Sequence, residues 1–184
     1  MTVTDRDGFY RAAMRVLARD GREGLKINAL CAELGVTTGS FHHWFAGWPG
    51  FVEYLLERWE QEETLRLAEI AAQQSSATEQ IDTLRRFALS FPHDAEAAIR
   101  SWAHLDADVA AVQRRVDTAR ETAIFEAMVE AVPDPALRRT RASLALAVLI
   151  GYQQRHDVPE APTLQVLLDE LLLLQGLTEA QQTS

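Results

Sequence analysis

Residues 27 to 45, INALCAELGVTTGSFHHWF, constrain this chain more than any other stretch. Ile27, Leu30, Cys31 and Leu34 recur at helical spacing and predict a short amphipathic helix with one apolar face. Gly35 can stop that helix, because glycine enters the left-handed backbone region without steric cost, and Val36 is placed to turn back into a small core. Thr37 or Thr38 can cap a second helix, since a hydroxyl accepts from the unsatisfied amides of a first turn. Phe41 and Phe45 lie one turn apart and are expected to anchor this second helix inward, leaving Thr38 and His42 facing out. The helix opens with Thr38, Gly39 and Ser40, small polar residues that let a helix N-terminus approach a DNA backbone and base edges. The pattern is that of a helix-turn-helix closed by an aromatic lock.

At these residues the sequence resembles the tetracycline-repressor-like (TetR) family of bacterial transcription regulators. The resemblance rests on Ala12-Ala13, Gly21, Leu34-Gly35-Val36-Thr37, Gly39-Ser40-Phe41 and Phe45, in the family's order, and it covers residues 9 to 60. Beyond them the chain is similar only in being helical and in length. The family usually carries Tyr and His where this chain has His42 and Trp44, and Lys where it has Trp48. Those positions commonly touch phosphates. The resemblance implies an all-α fold, with an N-terminal three-helix helix-turn-helix domain and a C-terminal helical bundle for ligand binding and dimerisation. It implies a homodimeric regulator of transcription, a repressor released by a small-molecule effector, with a double-stranded DNA operator as partner.

Composition agrees with a folded chain of this kind. At 184 residues it is long enough to bury a real core, and 47% apolar residues exclude disorder. No apolar run approaches a membrane span, so no membrane partner is expected. The opening MTVTDRDGFYRAA is broken by charge before an apolar core could form, so it is not read as a signal peptide and the cytoplasm is the expected location. Cys31 is the single cysteine, which leaves no disulfide framework and no cysteine-based metal site. The net charge of −9 divides unevenly. Residues 1 to 50 hold six basic and five acidic side chains, a net of +1, and the rest carries −10 from 12 basic and 22 acidic residues. The acidic excess therefore lies away from the proposed DNA face. A head of +1 still implies a modest dependence of binding on salt.

The chain divides into a head, residues 1–48, and a regulatory and dimerisation region, 49–184. Thr4 and Asp7 form an approximate capping box for a helix from about Asp5 to Asp20, ended by Gly21 and Gly24. Its arginines, Arg11, Arg15 and Arg19, read as a solvated face. Pro49 suits the first turn of a helix running to about Ala72, which leaves the head and enters the body. Further helices are expected at 78–90, 94–105 and 106–131. The turn Val132-Pro133-Asp134-Pro135 follows, with Asp134 placed as a cap. Trp44, Trp48 and Phe51 read mostly as core at the junction of head and body.

The expected DNA-contacting set is Lys26, Asn28, Thr37, Thr38, Gly39, Ser40, His42, His43 and Trp44. Lys26, the only lysine, sits where the family often has a capping Ser or Thr, and can reach a phosphate instead. His42 and His43 do not suggest a metal, because adjacent helical positions point about 100° apart. The resemblance also implies a ligand among the middle helices, with Trp59, Phe87, Phe91, Trp102, His104, Phe125 and Met128 as candidate lining. Aromatic residues at helical spacing are equally the normal filling of a bundle. His93, His104 and His156 are singletons. The last two helices, about 143–155 and from Leu164 onward, carry apolar residues on many sides and are expected to bury Leu144, Val148, Leu149, Tyr152, Leu164, Leu167, Leu168 and Leu171 against a second copy in a four-helix bundle. No nucleophile–base pair, paired carboxylates or glycine-rich phosphate loop supports an enzyme, and no cofactor is expected. Two other readings stand beside the regulator: an architectural DNA-binding protein without an effector, and a ligand-binding module whose DNA-binding head has degenerated.

Overall fold

The structure, a computed structural model, describes residues 5–155 and 162–177, and Thr4 and His156 lie outside them. Among the described residues all regular structure is helical: α1 Arg6–Gly24, α2 Ile27–Leu34, α3 Thr38–Trp44, α4 Gly47–Glu60, α5 Arg66–Ala72, α6 Ala77–Ser90, α7 His93–Ala103, α8 Ala107–Ala127, α9 Pro135–Gln153 and α10 Leu164–Leu174. None of these helices is long and apolar enough to cross a membrane. The caps explain most starts. Asp5 caps α1, its carboxylate accepting from the Gly8 amide at 2.7 Å. Asp134 caps α9 by accepting from the Ala136 amide at 2.9 Å, with Pro135 in the first turn. That helix therefore starts at the turn where the sequence placed its cap, and extends the apolar stretch 143–155 towards its N-terminus. Gly21 interrupts α1 at φ +63°, close to where the sequence placed its end.

The residues form two compact units. The first is Met1–Glu62 with Pro92–Arg115, and the second is Glu63–Phe91 with Val116–Ser184. In the first unit α1 packs along α7 and against α2 and α4. Its fully buried side chains include Phe9, Val16 and Leu17 of α1, Leu30 of α2, Phe41 of α3, Phe51, Leu55 and Trp59 of α4, and Ile99 of α7.

The second unit holds two apolar clusters. Phe91, Leu149, Leu164, Leu168 and Leu171 form one, and Met128, Val132 and Leu177 the other. This corrects part of the expectation for the last helices. Leu149, Leu164, Leu168 and Leu171 are buried inside the protomer, where each contributes about 1.5–3 kcal/mol by leaving water. Of the expected set Leu144 on α9 is left outside, and with it stand Leu137 on the same helix and Val166, Leu173 and Leu174 on α10, which were not in that set. Leu174 is 83% exposed. Val148, Tyr152 and Leu167 are half-buried.

One element was not anticipated. Between α4 and α5 the helix widens into a π-helical segment, Gln61–Leu65. Arg120 of α8 supplies a physical reason. Its Nη2 donates to the Glu63 carbonyl at 3.2 Å and its Nε to Thr64 Oγ1 at 3.3 Å, and its guanidinium lies 4.1 Å over the Phe91 ring. A side chain that bonds a helix carbonyl competes with the regular ladder and favours a local widening.

Candidate nucleic-acid interface

The turn between α2 and α3 is built by backbone bonds. Gly35 takes a left-handed conformation at φ +65°, ψ +33°; the Val36 amide donates to the Cys31 carbonyl at 2.9 Å and the Gly35 amide to Ala32 at 3.2 Å. This paired pattern satisfies the last carbonyls of α2 and turns the chain sharply. Cys31 Sγ lies 3.5 Å from the Thr37 carbonyl, and burial pushes its thiol pKa up, which keeps it protonated and able to donate.

Aromatic packing then sets how α3 is presented. Phe41 is fully buried, edge-on to Phe9 at 5.6 Å between ring centroids and 5.4 Å from Phe51. Phe45, which ends the helix, is edge-on to Phe9 at 5.5 Å and to Phe51 at 5.1 Å. Such pairs each contribute about 0.5–1.5 kcal/mol beyond their burial. Two elements, α1 and α4, thus grip one face of a seven-residue helix that is too short to be stable alone. The opposite face is left outside: Thr37, Thr38, Gly39, His42 and His43 are exposed, and Ser40 and Trp44 are half-buried. Thr37 stands at the capping position, but its hydroxyl makes no capping bond, contrary to the sequence reading. His43 and Trp44 rings meet edge to face at 5.0 Å. Trp44 and Trp48 are both half-buried, so the expectation of a largely buried tryptophan pair gives way; Phe51 is the buried member.

Beside the start of α2, Lys26 and Asn28 are exposed and share with Arg22, Leu25 and Trp48 a depression of about 480 Å³. Among the described residues Lys26 makes no ion pair. Trp48 stands at a position where the resemblance already placed a phosphate contact, whereas Arg22 was not expected, and no spacing rule could have found it, since it comes from another element. The arginines of α1 are occupied rather than merely solvated. Arg15 Nε lies 2.7 Å from Glu33 Oε1 and Arg19 Nη1 3.2 Å from Oε2, clamping α1 to α2. Hydrogen bonds from Arg15 and then Arg19 hold the Glu33 carboxyl below its usual pKa.

The candidate ligand-lining residues are not gathered at one cavity. In the first unit Trp59 is fully buried with its Nε1 3.2 Å from Glu96 Oε1, Trp102 lies under the Arg22 guanidinium at 5.0 Å, and His104 is exposed. In the second unit Phe87 and Phe91 line a cavity of about 50 Å³ and Met128 a separate one of about 80 Å³, while Arg138 and Arg139 cover the Phe125 ring. Among the described residues no three metal-ligating side chains come together.

A helix-turn-helix head whose short outer helix is held by aromatic anchors, followed by a helical body, is the fold of TetR-like transcription regulators, and this chain has it. Similar solved structures include a transcriptional regulator from Rhodococcus, with a TM-score of 0.73 at 19% identity over 94% of each chain. A TetR transcription regulator from Haloarcula marismortui gives 0.62 at 18% identity, covering 94% of this chain and 91% of that one. The regulator FadR from Bacillus subtilis, solved with stearoyl-CoA, gives 0.60 at 14% identity, covering 93% and 97%. No family model and no curated protein sequence matches the chain.

Proposed function

We propose that the protein is a homodimeric DNA-binding transcription regulator, acting as a repressor whose operator affinity a small molecule alters. The observation that carries this reading is the presentation of α3: Phe41 and Phe45 are locked inward while Thr38, Gly39 and His42 face out from a sharp turn. In this reading residues 1–48 are the head and α3 enters the major groove. Thr37, Thr38 and Ser40 contact phosphate or base edges, His42, His43 and Trp44 flank them, and Lys26 and Asn28 reach the adjacent backbone. Two heads contact half-sites about 34 Å apart.

Dimerisation is supported by the apolar residues that α9 and α10 leave outside, Leu137, Leu144, Val166, Leu173 and Leu174. The effector acts only through unequal affinity for two head spacings. The test is fluorescence anisotropy with the protein's own upstream intergenic DNA at two salt concentrations, against scrambled DNA. Preferential binding to the upstream DNA is expected. Equal weak binding to both would favour an architectural protein, and no binding at low salt would favour a ligand module with a degenerate head. The engagement of Arg15 and Arg19 with Glu33, which withdraws two cations from the head, is the observation on the side of that last reading.

A further inference from the structure

The cavity of about 80 Å³ in the second unit is walled by aliphatic side chains of four helices, among them Ile81 and Leu84 of α6, Ile124 of α8, Ala145 of α9 and Leu172 of α10. One polar side chain on its wall has nothing to bond to among the described residues. Gln175, at the end of α10, is 7% exposed, and among the described residues neither its Oε1 nor its Nε2 has a hydrogen-bond partner. A buried amide left this way is destabilising, and a core of leucines gives no reason to retain it. From this pairing we infer that the cavity binds a small uncharged molecule with an aliphatic body and a carboxamide or lactam group, which exchanges two hydrogen bonds with Gln175.

Three features select that class. First, Gln175 offers an acceptor and a donor on one planar group, and an amide or lactam presents the complementary pair in the same spacing. Second, charge is disfavoured. Arg85 also lines the cavity, but its Nε and Nη2 each lie 2.7 Å from Asp169 Oδ1, and its Nη1 lies 3.6 Å from Asp82. An incoming anion would meet a guanidinium already facing two carboxylates. A cation would lose its hydration against aliphatic walls with one neutral oxygen to replace it. Third, the cavity is small, at about 80 Å³, so the buried part of the ligand is a short branched chain and not a long acyl tail. The inference rests on the regulator reading only in treating this molecule as the effector; binding itself does not depend on it.

The test uses the full chain and three probes of one shape and different charge: isobutyramide, isobutyrate and isobutyramidinium. Each is titrated to roughly millimolar levels, suited to ligands of so few atoms, and followed by amide-resolved NMR. Isobutyramide should shift the Gln175 side-chain amide and the Ala127 and Ala145 backbone signals, while the two charged probes leave them in place. Gln175→Leu should weaken isobutyramide binding about tenfold or more, because the ligand's amide is then left unpaired. Ala145→Leu, which fills the cavity from α9, should abolish it in a folded protein. Absence of shifts with isobutyramide, equal shifts with isobutyrate, or binding that survives Ala145→Leu would each overturn the inference. Anisotropy on the upstream DNA, run in parallel, separates the two readings. Specific DNA binding without amide shifts removes the cavity proposal alone. Amide binding with no operator recognition upholds it and removes the regulator.

Discussion

Arg58 of α4 and Asp7 of α1, 51 residues apart, are joined by two contacts: Arg58 Nε lies 3.0 Å from Asp7 Oδ1 and Nη2 3.3 Å from Oδ2. Tyr54 donates its hydroxyl to the same Oδ1 at 2.6 Å. The first turn of the chain is thereby fastened to the helix that follows the helix-turn-helix. Arg6 closes the group by lying 4.2 Å over the Tyr54 ring.

This cluster makes stability depend on pH at both ends. The Tyr54 hydrogen bond, with Arg58 beside it, holds the Asp7 carboxyl below its ordinary pKa of 3.8. A group depressed on folding stabilises above its unfolded pKa, and that contribution is lost as pH falls through the folded value. Burial, then the Asp7 hydrogen bond, push Tyr54 the other way, from 10.0 up to about 12. Its contribution is complete below pH 10.0 and lost as pH rises towards about 12. Thermal melts across pH should show losses in both ranges, and Tyr54→Phe should remove the alkaline one. An unchanged alkaline limb in that variant would show that Tyr54 is not its source.

Gly39 separates DNA approach from folding. A Cβ built there meets only Thr37 Oγ1 at 3.5 Å, an ordinary contact, so the fold itself does not demand glycine. Gly39→Ala should stabilise α3 slightly, by up to about 1 kcal/mol from helix propensity, while weakening operator binding if the backbone lies against a phosphate. Thr38→Ala with Ser40→Ala should also lose operator affinity with the melt unchanged. If operator affinity survives that double substitution in a folded protein, α3 is not the recognition helix.

Lys26 should act through phosphate alone. Lys26→Ala is expected to weaken specific and scrambled DNA equally and to lower the salt slope by about 1, since one counterion fewer is released. A selective loss on the operator would instead mean that Lys26 reads a base.

The aromatic anchor should dominate head stability. Phe41→Ala removes a fully buried ring from contact with Phe9 and Phe51 and should cost about 3–5 kcal/mol. Chemical denaturation measures it directly, and a loss under 1 kcal/mol would mean that the three rings do not hold α3.

Inner and outer leucines of the last helices should behave differently. Leu144→Glu with Leu174→Glu places charge on exposed positions and should yield folded monomers by sedimentation. Leu168→Glu buries a carboxylate in the protomer core and should lower the melting temperature steeply before it affects assembly. A dimer that withstands the outer pair would remove α9 and α10 as the interface.

Much of this was legible along the chain because the signals are local. Apolar residues at three-four spacing, Gly35 after Leu34, Asp134 before Pro135 and the Phe41–Phe45 pair each act within one or two turns, and each stands where the sequence put it. The failures share a cause. Leu168 and Leu144 look alike in a pattern of apolar residues, and only packing against α6 and α9 buries one and leaves the other outside. Arg15 and Arg19 are on the solvated face expected from the sequence, but their pairing with Glu33 of α2 could not be seen along the chain. The π-helical segment follows from Arg120, 55 residues beyond Leu65, and the unpartnered amide of Gln175 exists only once four helices enclose it.

The sequence by itself determined the helices, their order and the helix-turn-helix, because hydrogen bonding, capping and amphipathic spacing are decided by near neighbours. The tertiary structure alone decided which cations stay free, which leucines face outward and where a buried amide meets a cavity. Those properties belong to pairs of residues tens of positions apart, whose meeting depends on side-chain direction and packing that no local pattern encodes.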